Sequence, residues 1–148
     1  MINSGRSEFL MNRQNDIVEE DITIPSEIKY IREVSSKILK ILETRHIDES
    51  VLFDIRLCVE ETVRNAIEHG NLKDKRSRVM INYRISGDRF TIEVEDEGAG
   101  FDHRALPDPT HGDNLMKNSG RGVYLVRRLM DEVEFNEKGN KVKLTKYI

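Results

Sequence analysis

The chain has 148 residues, enough for one domain with a substantial core. Its 24 Lys and Arg against 27 Asp and Glu leave a net charge of −3, with the cations scattered rather than clustered, which is not the footprint of a nucleic-acid-binding protein. A single cysteine, Cys58, excludes an internal disulfide framework; with no apolar run of membrane-spanning length and no apolar signal core in MINSGRSEFLMNRQND, the expectation is a cytoplasmic protein that contacts neither membrane nor nucleic acid.

Residues 1–16 are polar and read as a flexible lead-in, so a single domain is expected over 17–148. Residues 21–24 (DITI), with Ile17 and Val18 before them, form a short first strand that Pro25 ends. Ser26 is placed as the N-cap of a helix to about Thr44, with Ile28, Ile31, Val34, Ile38, Ile41 and Leu42 on one apolar face. Asp48 is the next N-cap candidate, and a long helix follows to His69. Gly70 sits where a left-handed C-terminal residue is wanted.

That second helix carries the stretch VEETVRNAIEHGN, residues 59–71, around which the chain is organised. On a helical wheel Asp54, Cys58, Glu61, Asn65 and His69 fall in one row, beside an apolar face of Ile55, Val59, Val63, Ala66 and Ile67. A carboxylate, a carboxamide and an imidazole are thus presented at the border of a buried surface. Glu60 and Arg64 point elsewhere, so Glu61, not Glu60, is in register with Asn65.

Two strands follow. Val79, Ile81, Tyr83 and Ile85 alternate in the first, Gly87-Asp88 makes a two-residue turn, and Phe90, Ile92 and Val94 share a face of the second. The same period of two turns Asp96 towards the helix-covered side, where a carboxylate needs a partner: a cation, a backbone group or a ligand. Gly98 and Gly100 follow directly. Residues 102–119 show no apolar period and read as a lid or binding loop. Gly120-Arg121-Gly122 opens a helix to Met130, and a hairpin over residues 132–136 and 141–147, turning at 138–140, closes the chain. The order β-α-α-β-β-lid-α-β-β implies an α+β fold, with helices on one face of a mixed, mainly antiparallel sheet.

Three polar features now stand in order: E-x-x-x-N on a helix, D-x-G-x-G after a strand and S-G-x-G opening a helix. Together they suit a nucleotide. Asp96 can accept from the exocyclic amine of a purine. The glycines let backbone approach a ring and phosphates, and the helix start near Gly120 and Gly122 offers free N–H groups to phosphate. The amide oxygen of Asn65 is a suitable hard ligand for Mg²⁺, and Glu61, one turn earlier, is placed to accept a proton from an attacking hydroxyl. There is no G-x-x-x-x-G-K-[ST], so a P-loop is excluded.

At these residues the sequence resembles the histidine-kinase-like (Bergerat-fold) ATPase superfamily. Glu61-x-x-x-Asn65 is similar to its N box, Asp96-x-Gly98-x-Gly100-Phe101 to its first glycine box and Gly120-Arg121-Gly122 to its second. Within it, the compact size, the form EETVRNAIEHGN, the run LMDEVEF and the closing KLTKYI resemble the bacterial anti-sigma-factor serine/threonine kinases. The resemblance implies ATP with Mg²⁺ bound under a mobile lid, with Asn65 on the metal, Glu61 as base, Asp96 on adenine, and Gly98, Gly100, Gly120 and Gly122 lining the nucleotide. It also implies a homodimer that holds a sigma factor inactive and phosphorylates an anti-anti-sigma partner of the STAS type. One departure is visible: some members place an arginine directly before S-G-x-G, near the γ-phosphate, where this chain has Asn118; either Lys117 or Arg121 serves instead, or transfer is slow or absent. A non-catalytic, nucleotide-gated binding module is the alternative. The ATPase domain of a two-component histidine kinase fits less well, since residues 1–16 hold no histidine. His69 and His111 are read as exposed or hydrogen-bonded, and Cys58 as a small buried filler.

Overall fold

A computed structural model describes residues 3–9, 17–100 and 121–148 of the chain, with side chains for 17–100 and 122–148. Its elements are β1 (Asn3–Phe9), β2 (Val18–Pro25), α1 (Ile31–Leu42), α2 (Glu49–Asn65), β3 (Arg78–Ser86), β4 (Arg89–Glu95), α3 (Arg121–Leu129), β5 (Glu132–Phe135) and β6 (Lys141–Tyr147). The residues expected to form a lid, 102–119, lie outside those described.

The strands form one six-stranded sheet in the order β1-β2-β3-β4-β6-β5. Each of its pairings is antiparallel, so the sheet is not mixed. Alternation decides which face is covered. Val18, Ile22 and Ile24 of β2, Val79, Ile81, Tyr83 and Ile85 of β3, Phe90, Ile92 and Val94 of β4, and Val142 and Leu144 of β6 are buried together with Val34, Ile38, Leu42, Ile55, Val59 and Val63 of the helices. The other sheet face carries Glu19, Asp21, Asn82, Glu93 and Glu95. The architecture is α+β, as the spacing implies.

Four local expectations change. Residues 3–9 lie inside the expected lead-in, yet they pair antiparallel with β2, with a register irregularity between Ser4 and Arg6. No apolar period announces this strand. The open N–H and C=O groups along the edge of β2 are what it satisfies. Ser26 does not cap α1: its hydroxyl donates to the Ser77 carbonyl at 2.9 Å, and the helix begins later, through a 3-10 turn over Ile28–Tyr30. Ile28 consequently remains 41 % exposed rather than joining the apolar face. Asp48 does occupy the N-cap of α2, but without a side-chain bond. Finally, α2 ends in a π-helical turn over Ala66–Gly70, and Gly70 is not among the residues with positive φ. Its lack of a side chain has another cause, set by Asp96.

Candidate functional site

The site lies where the end of α2, the exit of β4, the start of α3 and the β5–β6 turn meet. They enclose a cavity of about 260 Å³, at the lower edge of small-molecule sites. Asn65, His69, Gly70, Asp96, Gly100 and Asn140 line its polar side, and Ala66, Val94, Val126, Val133, Phe135 and Val142 its apolar walls. Apolar walls with one inward carboxylate are suited to an apolar-faced heterocycle carrying a hydrogen-bond donor.

Asp96 is that carboxylate, and it is only 9 % exposed. Strand parity turns it inward, as the alternation of β4 requires. Its Oδ1 accepts from the Gly98 N–H at 2.8 Å. Its other oxygen, Oδ2, lies over Gly70 so closely that a Cβ there would collide with the whole carboxyl group. Gly70 is therefore required by close approach, not by a left-handed backbone. Gly98 answers the same constraint from the other side, because a Cβ on it would run into the Gly70 carbonyl. Gly100 has φ +81°, a conformation that favours glycine, and packs against the Lys138 carbonyl. Burial pushes the Asp96 pKa above its ordinary value of 3.8; the Gly98 bond pulls it down, the Glu95 charge adds to the rise and Lys138 opposes it.

At the other end, Glu61 and Asn65 meet α3. A Cβ on Gly122 would lie 2.8 Å from Asn65 Nδ2 and 2.9 Å from Glu61 Oε2, so the α3 backbone rests directly on the E-x-x-x-N pair. Asn65 lines the cavity; Glu61 stands beside it, half-buried. Glu60 faces away and accepts from the Ser35 hydroxyl of α1 at 2.5 Å, which matches the helix register read from the wheel. Arg64 departs from that reading: its Nη1 reaches back to 4.0 Å from Glu61 Oε1. Arg121 begins α3, its side chain lying outside the described set, as do Gly120, Lys117, Asn118 and His111. His69 is exposed and lines the cavity. Cys58 is fully buried; burial first, then the Asp54 charge, push its thiol up to about 12, which makes it packing rather than a nucleophile.

Two carboxamides that sequence reasoning did not single out hold the Asp96 turn. Asn71 Oδ1 accepts from the Glu97 N–H at 2.8 Å, while Asn140 Nδ2 donates to the Asp96 carbonyl at 2.8 Å. Neither sits on a periodic face, so alternation and helical spacing carry no sign of them.

Residues 24–146 match the Histidine kinase-like ATPase domain family. The chain belongs to this family. Two curated relatives are the Serine-protein kinase RsbW of Bacillus subtilis (strain 168), 28% identical over 145 residues, 93% of this chain and 89% of the relative, and that of Staphylococcus aureus (strain MRSA252), 26% identical over 147 residues, 93% and 91%. Among solved structures, the RsbU and RsbW domains of Rv1364c from Mycobacterium tuberculosis match with a TM-score of 0.58 at 21% identity. The match covers 87% of this chain and 31% of that one, and it supports the fold. A histidine-kinase-like ATPase binds ATP. In this member the three boxes read from the sequence converge through Asn65, Asp96, Gly100 and Gly122. No helix among the described residues is long and apolar enough to cross a membrane.

Proposed function

We propose that the chain is an ATP-dependent anti-sigma factor with protein serine/threonine kinase activity. Its substrate is an anti-anti-sigma partner of the STAS type, and as a homodimer it sequesters a sigma factor. Family membership and the serine-protein kinase relatives support this reading. The observation that carries it is the seating of Glu61 and Asn65 together against Gly122, with Asp96 in the same cavity as Asn65.

In this reading Asp96 Oδ2 accepts from the adenine amine and the apolar walls sandwich the ring. The start of α3 presents backbone N–H groups to the phosphates. The donor set also fits Mg²⁺: one carboxamide oxygen, from Asn65, with phosphate and water completing the shell. When bound, that ion neutralises charge on the transferring phosphoryl group. Glu61 takes the proton of the partner's Ser or Thr hydroxyl as that oxygen bonds to the γ-phosphorus and the bond to ADP breaks.

Single-turnover transfer from labelled ATP to a STAS-type partner, measured alongside ATP affinity, tests the assignment. Glu61→Gln should bind ATP normally and transfer roughly 10²–10⁴-fold more slowly, the worth of a positioned base. Asn65→Ala should weaken Mg²⁺-dependent binding as well as transfer. Glu60→Gln should leave transfer largely intact, because its amide oxygen can still accept from Ser35. Inactivity of Glu60→Gln alone would exchange the two roles. A wild type that binds ATP but transfers nothing would favour the nucleotide-gated binding module, the reading that Asn118 before the second glycine box also fits.

A further inference from the structure

The exit of β4 is held as a short rigid bracket. The Asp96 N–H donates to the Asn140 carbonyl at 2.9 Å, and the Asp96 carbonyl accepts from Asn140 Nδ2 at 2.8 Å. The next amide, Glu97 N–H, donates to Asn71 Oδ1 at 2.8 Å, and the next, Gly98 N–H, returns to Asp96 Oδ1. Four backbone polar groups of three consecutive residues thus have fixed partners, two supplied by Asn140 and one by Asn71. The two asparagines come from opposite sides, Asn71 from the end of the π turn and Asn140 from the β5–β6 turn.

Each is itself held by both ends of its carboxamide. Asn71 is 5 % exposed and donates to Ser26 Oγ at 2.8 Å and to the Arg78 carbonyl at 2.9 Å. Its backbone N–H also donates to the Ala66 carbonyl at 2.8 Å. Asn140 Oδ1 accepts from Asn136 Nδ2 at 2.8 Å, and Asn136 Oδ1 in turn gathers the Gly139, Asn140 and Lys141 amides. Only a side chain with donor and acceptor at this reach satisfies either set: aspartate lacks the donors and alanine lacks both.

We propose that Asn71 and Asn140 are positioning residues for base recognition: they fix the Asp96 carboxylate at the angle where its free oxygen meets the 6-amino group of a purine. This rests on the reading of Asp96 as the base-binding group. Asn71 spends its donors on Ser26 and the Arg78 carbonyl and Asn140 donates to the Asp96 carbonyl, so both act through the backbone that carries Asp96. A hydrogen bond depends steeply on angle, so a loosened bracket forfeits discrimination between purines before it forfeits the apolar and phosphate contacts that bind any of them.

The experiment compares the dissociation constants of ATP and of purine riboside triphosphate, which lacks the 6-amino group, for the wild-type chain, Asn71→Asp and Asn140→Ala. Circular dichroism identifies the variants that fold, and Asn140→Ala, altered on a half-buried turn, keeps the test available if Asn71→Asp does not. The wild type should prefer ATP by about tenfold or more, as expected for a hydrogen bond to a charged acceptor. In a folded variant the preference should fall towards one, with affinity for the 6-unsubstituted nucleotide nearly unchanged. Retention of the wild-type ratio, or equal weakening of both nucleotides, would overturn the positioning role alone. A wild type that does not distinguish the two nucleotides would overturn the Asp96 reading and the proposal with it.

Discussion

Asp96 shows how much one residue's chemistry depends on its neighbours. Alternation along β4 is enough to turn it inward; what it meets there comes from elsewhere in the chain. Burial holds its carboxyl above the ordinary 3.8, so in the free protein it keeps its proton to a higher pH than an exposed aspartate. The folded state then binds more protons than the unfolded one, so as pH rises from 3.8 through the raised value this residue subtracts from stability. With Asp96 as the proposed base-binding group, ATP recognition runs the other way, because the ionised form is the better acceptor for an amine. ATP affinity should therefore rise with pH through the raised Asp96 pKa, level off above it, and be accompanied by proton release on binding. Calorimetry in buffers of different ionisation enthalpy checks this. Asp96→Asn should bind more weakly and lose this part of the pH dependence, separating it from titration of the nucleotide itself. An equally steep profile in Asp96→Asn would assign the effect to another group.

Among the elements, those with a strong apolar period are legible from the order of residues alone. β3, its two-residue turn and β4 fall where alternation places them, with Ser86 paired to Arg89. The register of α2 separates Glu60, turned to Ser35 of α1, from Glu61, turned to α3. Features set by tertiary partners are not legible in this way. Ser26 looks like a cap in isolation and is drawn away by Ser77 and Asn71; Gly70 looks like a helix stop and makes room for Asp96; β1 has no apolar face to announce it. Asn71 and Asn140 are invisible for the same reason, since their partners are backbone groups distant in sequence. The junction of α2 and α3 can be tested directly. Gly122→Ala would press a methyl group against the ends of Asn65 and Glu61, both of which can shift. The fold should survive, while transfer should fall by up to about 10²-fold, the scale of an ångström's misplacement of reacting groups. A melting temperature together with single-turnover rates would show it; unchanged transfer would mean that the contact has slack.

The whole molecule divides into a scaffold and a site joined by the strands that run through both. The layer of helices is tied to the sheet by more than apolar contact. Glu20 of β2 points into the core side at 3 % exposure, accepts from the Tyr83 hydroxyl at 2.7 Å and pairs with Lys37 of α1 at 2.6 Å. Burial and the Glu20 bond push the Tyr83 phenol well above its ordinary range, so it remains a donor at any working pH. Tyr83→Phe removes that donor without creating a cavity. It should lower stability by about 1–3 kcal/mol, the cost of leaving a buried acceptor one bond short, and the melting temperature by roughly 3 °C per kcal/mol. Tyr83 pairs with Ile92, four residues before Asp96, or about 13 Å along the strand. At that separation effects on stability and binding are expected to be independent. ATP affinity of Tyr83→Phe at a temperature well below its melting point should therefore stay within about twofold of wild type. Thermal melts with and without saturating ATP measure both quantities, since ligand should raise the two proteins by the same increment. A smaller increment for Tyr83→Phe would show that the ion-paired layer contact extends its influence along β3 and β4 into the nucleotide site.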